Sequence, residues 1–474
     1  MTIEDVVLDG FDGSALDLTG IAMRRVSARG ARFGAACLAG ARLESVSLAG
    51  ADLAEADLSD AALLGVELVR ATLTSASLTG AKLVSVDASA ANAAGLVLSS
   101  ASAEGVQFSG ANLEGAAFDA ANLAGADLGG ANLKSANFAG ARMTGARLDA
   151  AMLDDSTWDE ANLEGVVLGG ASLAGLDLRG ASLVGLDLTD RDLEGCDLEG
   201  ADLTGAKLIR ANLRGASLEH AKLVSVDLRE ATMSDASFAG ADLTNAQLYG
   251  TDTHGARFSG ANLAGADLRN VKLSKSNLSG ADLTKTHLAG ASLTDTLFEE
   301  ASAPGVDFTG CDLSNSTFTG SDLTGANLTG AIAKQTNFES CKLGQARLGR
   351  MIGSHANLRG ASLEGADLRE AKLDEACLED VCLRRALVDG ADLSRSRLLR
   401  ADLAGARCVG AKLKWADLSH ADLRNADLSH ADLEAANVHR ALMTGTQLSG
   451  ANTKDLAQTD PERAAAEDFG RRPQ

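Results

Sequence analysis

ANLAGADLRN, residues 261–270, reads as two copies of one unit: Ala, then Asn or Asp, then Leu, then two variable residues. Self-similarity at a short fixed period is the mark of a repeat architecture. With five slots numbered so that slot three falls at residue 3 and every fifth residue to 453, the register holds for 91 consecutive pentapeptides without an insertion. Of the slot-three residues, 80 are Leu, Ile, Val, Met, Phe or Trp, so this slot must face away from water. Slot one, mostly Ala, faces inward into tighter space. Slot five holds 43 of the 51 glycines, which places a turn there. A period of five fits neither a helix at 3.6 nor a strand at 2, so the chain must coil with a corner every five residues.

The exceptions to the Ala rule count the corners in one turn. Val, Ile or Leu fills slot one at sixteen positions, and ten of these share one phase of a 20-residue cycle: Val6, Val26, Val46, Val66, Val86, Val106, Val166, Leu186, Val226 and Val306. The slot-three aromatics Phe118, Phe138, Trp158, Phe238, Phe258, Phe298, Phe318 and Phe338 also share one phase, with Phe33, Phe108 and Phe308 outside it. Like stacks on like, so four pentapeptides make one turn. Each turn should rise one strand spacing, about 4.8 Å, and roughly 23 turns would give a rod about 110 Å long.

Misfits at slot three carry their own expectations. Gly13, Ala28, Ala88 and Gly353 lack volume, yet Phe11, Val26, Val86 and Met351 in the neighbouring slot one are larger than Ala, so bulk has moved across the core. Ala93, Ala103, Thr253, Ala303, Ala333 and Cys408 lack that compensation and read as thin spots. GRMIGS, residues 349–354, is the expected place for a local distortion. The chain divides into a repeat domain, 1–453, and a tail, 454–474. In the tail Asp460 is a capping residue and Pro461 a first helical position, which predicts a short helix covering or linking the open end of the coil.

Composition excludes several classes. Aromatics are 3% of the chain and Pro only 3 residues, so layered aromatic and aliphatic packing of a globular kind is ruled out. The net charge of −22 disfavours direct contact with nucleic acid or an anionic membrane. Neither a charged-then-apolar leader nor a long apolar run is present, so the cytoplasm is the expected compartment. Seven cysteines without a CxxC read as reduced thiols. Cys196, Cys311, Cys341 and Cys408 fall on inward slots; Cys37, Cys377 and Cys382 fall on slot two. The seven histidines, His220, His254, His287, His355, His420, His430 and His439, lie on different slots and turns with no spacing for a triad or a metal site, so neither catalysis nor a cofactor is expected.

The charge is uneven. Residues 1–250 carry 35 acidic and 17 basic residues, and 251–474 carry 30 and 26. The densest window, 151–200, has 12 carboxylates and 2 arginines: Asp154, Asp155, Asp159, Glu160, Glu164, Asp177, Asp187, Asp190, Asp192, Glu194, Asp197 and Glu199. Over 2.5 turns this is about one net charge per 1.2 Å of axis, near the one per about 1.7 Å of duplex DNA. Against this, 26 aspartates of the chain sit at slot two, where Asp can bond nearby backbone and keep the surface soluble. Two basic clusters, Arg24, Arg25, Arg29, Arg32 and Arg384, Arg385, Arg395, Arg397, Arg400, read as solvated faces. Tyr249 and Trp415 lie on outward slots.

The unbroken Ala-Asp/Asn-Leu-x-x pattern, over some 95% of the chain, resembles the pentapeptide-repeat family. The resemblance implies an all-β fold, a right-handed quadrilateral parallel β-helix with slots one and three inside. It also implies two kinds of role. Most relatives are read as scaffolds that present flat faces to protein partners. Others are gyrase-directed acidic rods that mimic B-form DNA, confer quinolone resistance or protection from topoisomerase poisons, and dimerise through their C-terminal ends. This chain alone is as long as such a dimer, and it lacks their projecting loops. The expectation is therefore a non-enzymatic scaffold binding a protein partner. The alternative is a DNA mimic acting on gyrase or another DNA-binding enzyme through the 151–200 window, with homodimerisation through the C-terminal end.

Overall fold

The computed structural model describes residues 1–469 as a four-sided parallel β-helix followed by one helix. Within the coil residue i pairs with residue i+20 at most rungs. Strands β1 (Thr2–Glu4), β2 (Ala22–Arg24), β3 (Arg42–Glu44), β4 (Ala62–Leu64) and β5 (Lys82–Val84) stack in that order, with Ile3, Met23, Leu43, Leu63 and Leu83 in register. The remaining rungs are single parallel bridges at slot two, such as Asp52↔Thr72 and Asp392↔Lys412. Two compact units are distinguishable, Met1–Asp227 (unit one) and Leu228–Gln474 (unit two). Residues 1–5 and their 20-residue repeats form the first side, 6–10 the second, 11–15 the third and 16–20 the fourth.

Residues 52–56 show why the repeat is five long and why slot two prefers Asp or Asn. Asp52 N–H donates to Ala31 O at 2.8 Å, one turn back. Leu53 and Glu55 donate to Thr72 O and Thr74 O, one turn ahead, at 2.8 and 2.9 Å, and Ala56 closes the corner on Leu53 O at 3.0 Å. Only the slot-four amide, Ala54, has no backbone acceptor, and Asp52 Oδ1 takes it at 3.0 Å. Every amide is thus satisfied, which a tightly wound backbone requires. The same bond recurs along the chain, at Thr19–Asp17, Thr204–Asp202 and Arg424–Asp422 among many. The slot-two aspartate is therefore a structural part of the corner.

Slots one and three are buried on all four sides, and slots two, four and five are not, with few exceptions. The aromatic column of the fourth side forms as read: Phe118, Phe138 and Trp158 stack at 4.7 and 4.0 Å, Phe238 and Phe258 at 5.0 Å, and Phe298, Phe318 and Phe338 at 4.4 and 5.3 Å. The Trp158 indole N–H donates to Ser156 Oγ at 2.8 Å, and that hydroxyl donates to Leu153 O at 2.6 Å, so the ring is buried without an orphan donor.

Two expectations need correction. GRMIGS is regular: Ile352 bridges Ile332 and Lys372, and Met351 fills the room at Gly353, where an added Cβ would lie 3.1 Å from Met351 Cε and 2.9 Å from Leu373 Cδ2. The coil departs from its pattern at 168–172 instead. Slot five is left-handed at every other corner from 5 to 455, but here Gly169 is left-handed (φ 46) and Gly170 is not. Ser172 carries no bridge. The glycine pair is the cause, since Gly169 sits where a Cβ would be 2.8 Å from Asp149 Cα, so only glycine allows the corner to slide by one residue.

The second correction concerns the tail. The helix α1 (Pro461–Phe469) forms, with Asp460 Oδ1 accepting from the amides of Glu462 and Arg463 at 2.9 and 3.2 Å. It does not cover the coil end, however. It lies against His420, His439 and Arg440, while the last turn leaves Leu448 37% exposed beside an open depression of about 370 Å³ lined by Val438, Met443, Leu448 and Leu456. The positions of charged partners on the preceding turns decide this placement, and the tail sequence alone does not contain them.

Candidate interaction surface

The 20-residue register sorts the acidic window by side. Asp159, Glu160, Asp177, Asp197 and Glu199 project from the fourth side and Asp154, Asp155, Asp192 and Glu194 from the adjoining third. Asp187 and Asp190 lie on the second side and Glu164 on the first. Nine of the twelve therefore share two neighbouring sides.

They are not equivalent. Asp177, Asp187, Asp192 and Asp197 occupy slot two and each accepts its own slot-four amide, at 3.1 to 3.3 Å. Asp177 also holds Arg179 through two bonds of 2.9 and 2.7 Å, and this guanidinium keeps its carboxyl below the usual range. Thr189 does the same for Asp187 through hydroxyl and amide, and Arg210 for Asp190 at 2.7 Å. Asn212 bonds both Asp192 and Glu194. Among the described residues, the carboxylates of Asp154, Asp155, Asp159, Glu160, Glu164 and Glu199 have no hydrogen bond or ion pair. The free charge of the window is thus concentrated at its N-terminal end.

The same sorting extends along unit one. Its fourth side carries ten carboxylates, Asp17, Asp57, Asp60, Asp119, Asp159, Glu160, Asp177, Asp197, Glu199 and Glu219, and one cation of the Lys/Arg type, Arg179, which is committed to Asp177. The third side has 8 acidic and 4 basic residues, and the first and second together 14 and 11. None of the ten is buried. A one-dimensional count of charge along the chain misses this side because its members are twenty residues apart.

The basic clusters are mostly neutralised one turn away. Arg24 meets Glu44, Arg25 meets Glu4 and Asp5, and Arg32 meets Asp12. Arg384, Arg395, Arg397 and Arg400 pair with Asp402, Glu375, Glu379 and Asp380. Trp415, half exposed, is flanked by Arg395 at 4.9 Å and Lys414 at 4.4 Å, and Tyr249 has Arg269 at 6.0 Å. The seven cysteines are free thiols. Burial pushes Cys196 and Cys311 up to about 11 and Cys341 and Cys408 up to about 12, so the inward thiols are inert fillers.

The histidine reading needs one correction. His420 and His439, nineteen residues apart, are brought together by the coil, and α1 adds Glu467, so that one donor atom of each lies within 4.8 Å of the others. Glu467 Oε2 is 3.3 Å from His420 Nε2 and 3.5 Å from His439 Nε2. The separations alone would suit a divalent cation, but the protons do not. Asp460 N–H donates to His439 Nδ1 at 3.1 Å, so the single proton of a neutral imidazole sits on Nε2, the atom a metal would need. Sequence reasoning missed the cluster because its carboxylate comes from an element outside the repeat.

Among curated proteins, no sequence matches the chain significantly. Two solved structures that match it cover part of the chain. QnrB1, a plasmid-mediated fluoroquinolone resistance protein, is 24% identical over 38% of this chain and 91% of its own, with a TM-score of 0.32. HetL, a pentapeptide repeat protein involved in heterocyst differentiation regulation in the cyanobacterium Nostoc, is 25% identical over 58% of this chain and 90% of its own, with a TM-score of 0.14. Among the described residues no helix is long and apolar enough to cross a membrane. Models of pentapeptide repeats match eleven overlapping or adjoining segments between residues 29 and 452, and a pentapeptide repeat region matches 251–328 between them. With that coverage and a corner every five residues from 5 to 455, this chain belongs to the pentapeptide-repeat family.

Proposed function

We propose that the protein is a non-enzymatic scaffold that binds a basic protein partner along the fourth side of unit one and the adjoining third. The observation that carries this reading is the ten-to-one excess of carboxylates over Lys and Arg on that side, on a backbone that holds them in straight columns. Side chains on a rigid ladder lose little freedom when a partner binds, and a one-sided field speeds encounter with a positive surface. A lysine-rich peptide is a suitable probe. Replacing Asp159, Glu160 and Glu199 by Asn or Gln should weaken its binding at least tenfold at low salt, whereas replacing Asp9, Glu67 and Asp87 on the second side should change it little. Equal losses from the two sets would remove the fourth side as the contact.

A second reading, a DNA mimic acting on gyrase or another DNA-binding enzyme, draws on the local density at 154–199. Over the whole of unit one the fourth side carries one carboxylate per about 5 Å of axis, against one charge per about 1.7 Å in duplex DNA, so mimicry would be confined to a contact of two or three turns. Supercoiling by gyrase, with and without a quinolone, tests it. Inhibition or protection that is lost in Asp154→Asn, Asp155→Asn, Asp159→Asn, Glu160→Gln favours the mimic, and no effect at micromolar protein leaves the scaffold. Joining of two copies at the C-terminal end is part of the same reading. The surface of exposed Leu448 with half-buried Met443 and Leu456 supports it, and sedimentation of a Leu448→Glu variant tests it.

A further inference from the structure

The contact of α1 with unit two centres on one carboxylate, Glu467, that four cationic or ionisable side chains share. Glu467 faces His420, His439 and Arg440 from the coil, at 3.3, 3.5 and 3.4 Å, and Arg463 from its own helix, at 3.1 Å. Asp468 pairs with Arg440 at 2.7 Å, and Arg440 Nη1 also donates to Ala464 O at 3.2 Å. Asp460, the cap of α1, enters through its amide, which donates to His439 Nδ1.

His439 is the unusual member. It is 1% exposed, and among the described residues its Nε2 is the sole buried side-chain nitrogen or oxygen without a hydrogen-bond partner. Its two nitrogens have opposite duties: Nδ1 must be bare to accept the Asp460 amide, and Nε2 must carry the proton that points toward Glu467. Only the neutral ring in one tautomer meets both.

We propose that His439 is a proton-operated latch for the C-terminal helix: protonation of its Nδ1 sets N–H against N–H at Asp460 and releases the start of α1 from the coil. The second proton also places a buried charge next to Arg440, and Glu467 already serves Arg440 and Arg463. His420 is partly exposed and has no bond to the α1 entry segment, so its protonation adds attraction to Glu467 and does not open the latch. Release would uncover the side of unit two that holds His420 and His439.

Hydrogen exchange of residues 459–469 in the full chain tests this. Imidazoles as a class change charge between about pH 5 and 8. From about pH 7.5 to 5.5, protection corrected for intrinsic rate should fall at least tenfold in the wild type and in His420→Gln. It should stay level in His439→Gln, whose amide offers one acceptor and one donor without titrating. Unchanged or rising protection in the wild type, or an equal fall in His439→Gln, overturns the latch. Should His439→Gln misfold, the wild-type ring still decides: nitrogen NMR must show Nδ1 unprotonated at pH 7.5, and a protonated Nδ1 there also overturns it.

Discussion

Units one and two are built on the same five-residue corner yet differ in what they place outside and inside it. Unit one has 32 carboxylates against 16 Lys and Arg, with the excess gathered on two sides; unit two has 33 against 27, a nearer balance, with several of its cations paired to an acid one turn away. Inside, unit one fills slot one mostly with Ala, Val and Leu, and Ser156 is its buried hydroxyl. Unit two instead runs Ser276, Thr296, Ser316 and Thr336 as a column beside its aromatic stack, each donating to the slot-three carbonyl 23 residues earlier, at 2.6 to 2.9 Å. That carbonyl already accepts the corner amide, as Leu273 O does from Ser276 N, so the hydroxyl uses its second lone pair. The corner therefore tolerates either a dry or a hydroxyl-lined core, and it leaves the outer charges free to vary with any partner.

The largest test asks whether the two cores are equally closed. Leu203→Asp in unit one and Leu263→Asp in unit two bury a carboxylate at sites no more than 1% exposed, and each should cost about 4 kcal/mol or more in urea unfolding. A mild effect in one unit would show that its slot three is not a dry core. The hydroxyls should separate the units more finely. Ser156→Ala leaves the buried Trp158 N–H without an acceptor and should cost about 1–3 kcal/mol, whereas Thr296→Val leaves a carbonyl still bonded once and should cost less than about 1 kcal/mol. Equal costs would mean that the indole finds another partner.

Slot two allows a smaller test on the charged unit. Asp187→Ala removes the acceptor of the Thr189 amide and should cost about 1 kcal/mol, while Asp187→Asn keeps an acceptor oxygen and should be near neutral. Acid should act on the same bonds. The folded carboxyls of Asp17, Asp177, Asp187 and Asp190 lie below the ordinary Asp value because Thr19, Arg179, Thr189 and Arg210 bond the charged form. Their contribution is present above about pH 4 and is lost as pH falls through and below it, so the melting temperature should drop there and drop less in slot-two Asn variants. At the tail, burial would raise Glu467, but bonds from Arg463 and Arg440 and the adjacent His439 and His420 rings hold it at about 2. Its hold on α1 persists above about pH 4.5 and fades toward pH 2, even in His439→Gln.

Much was legible before any coordinates. Val6 to Val306 and Phe118 to Phe338 recur at multiples of twenty because stacked rungs put like side chains in contact, so the turn length follows from the chain itself. The candidate site was legible only in part. The twelve residues of the window stand out by composition, but Glu164 turns to one side and Asp159 to another, and only six lack partners. Asp60 and Asp119 belong with Asp159 although they lie outside the window. His420, His439 and Glu467 gave no signal, since their meeting depends on where α1 lies.

The sequence by itself determined the corner, its period and the inward slots, because each pentapeptide satisfies its own backbone and buries its own two side chains against the next rung. Only the tertiary structure decided which carboxylates stand free, where the coil slips at Gly169 and which side the terminal helix takes. Those outcomes depend on residues twenty or more positions apart, and on charges whose partners are chosen by stacking rather than by chain order.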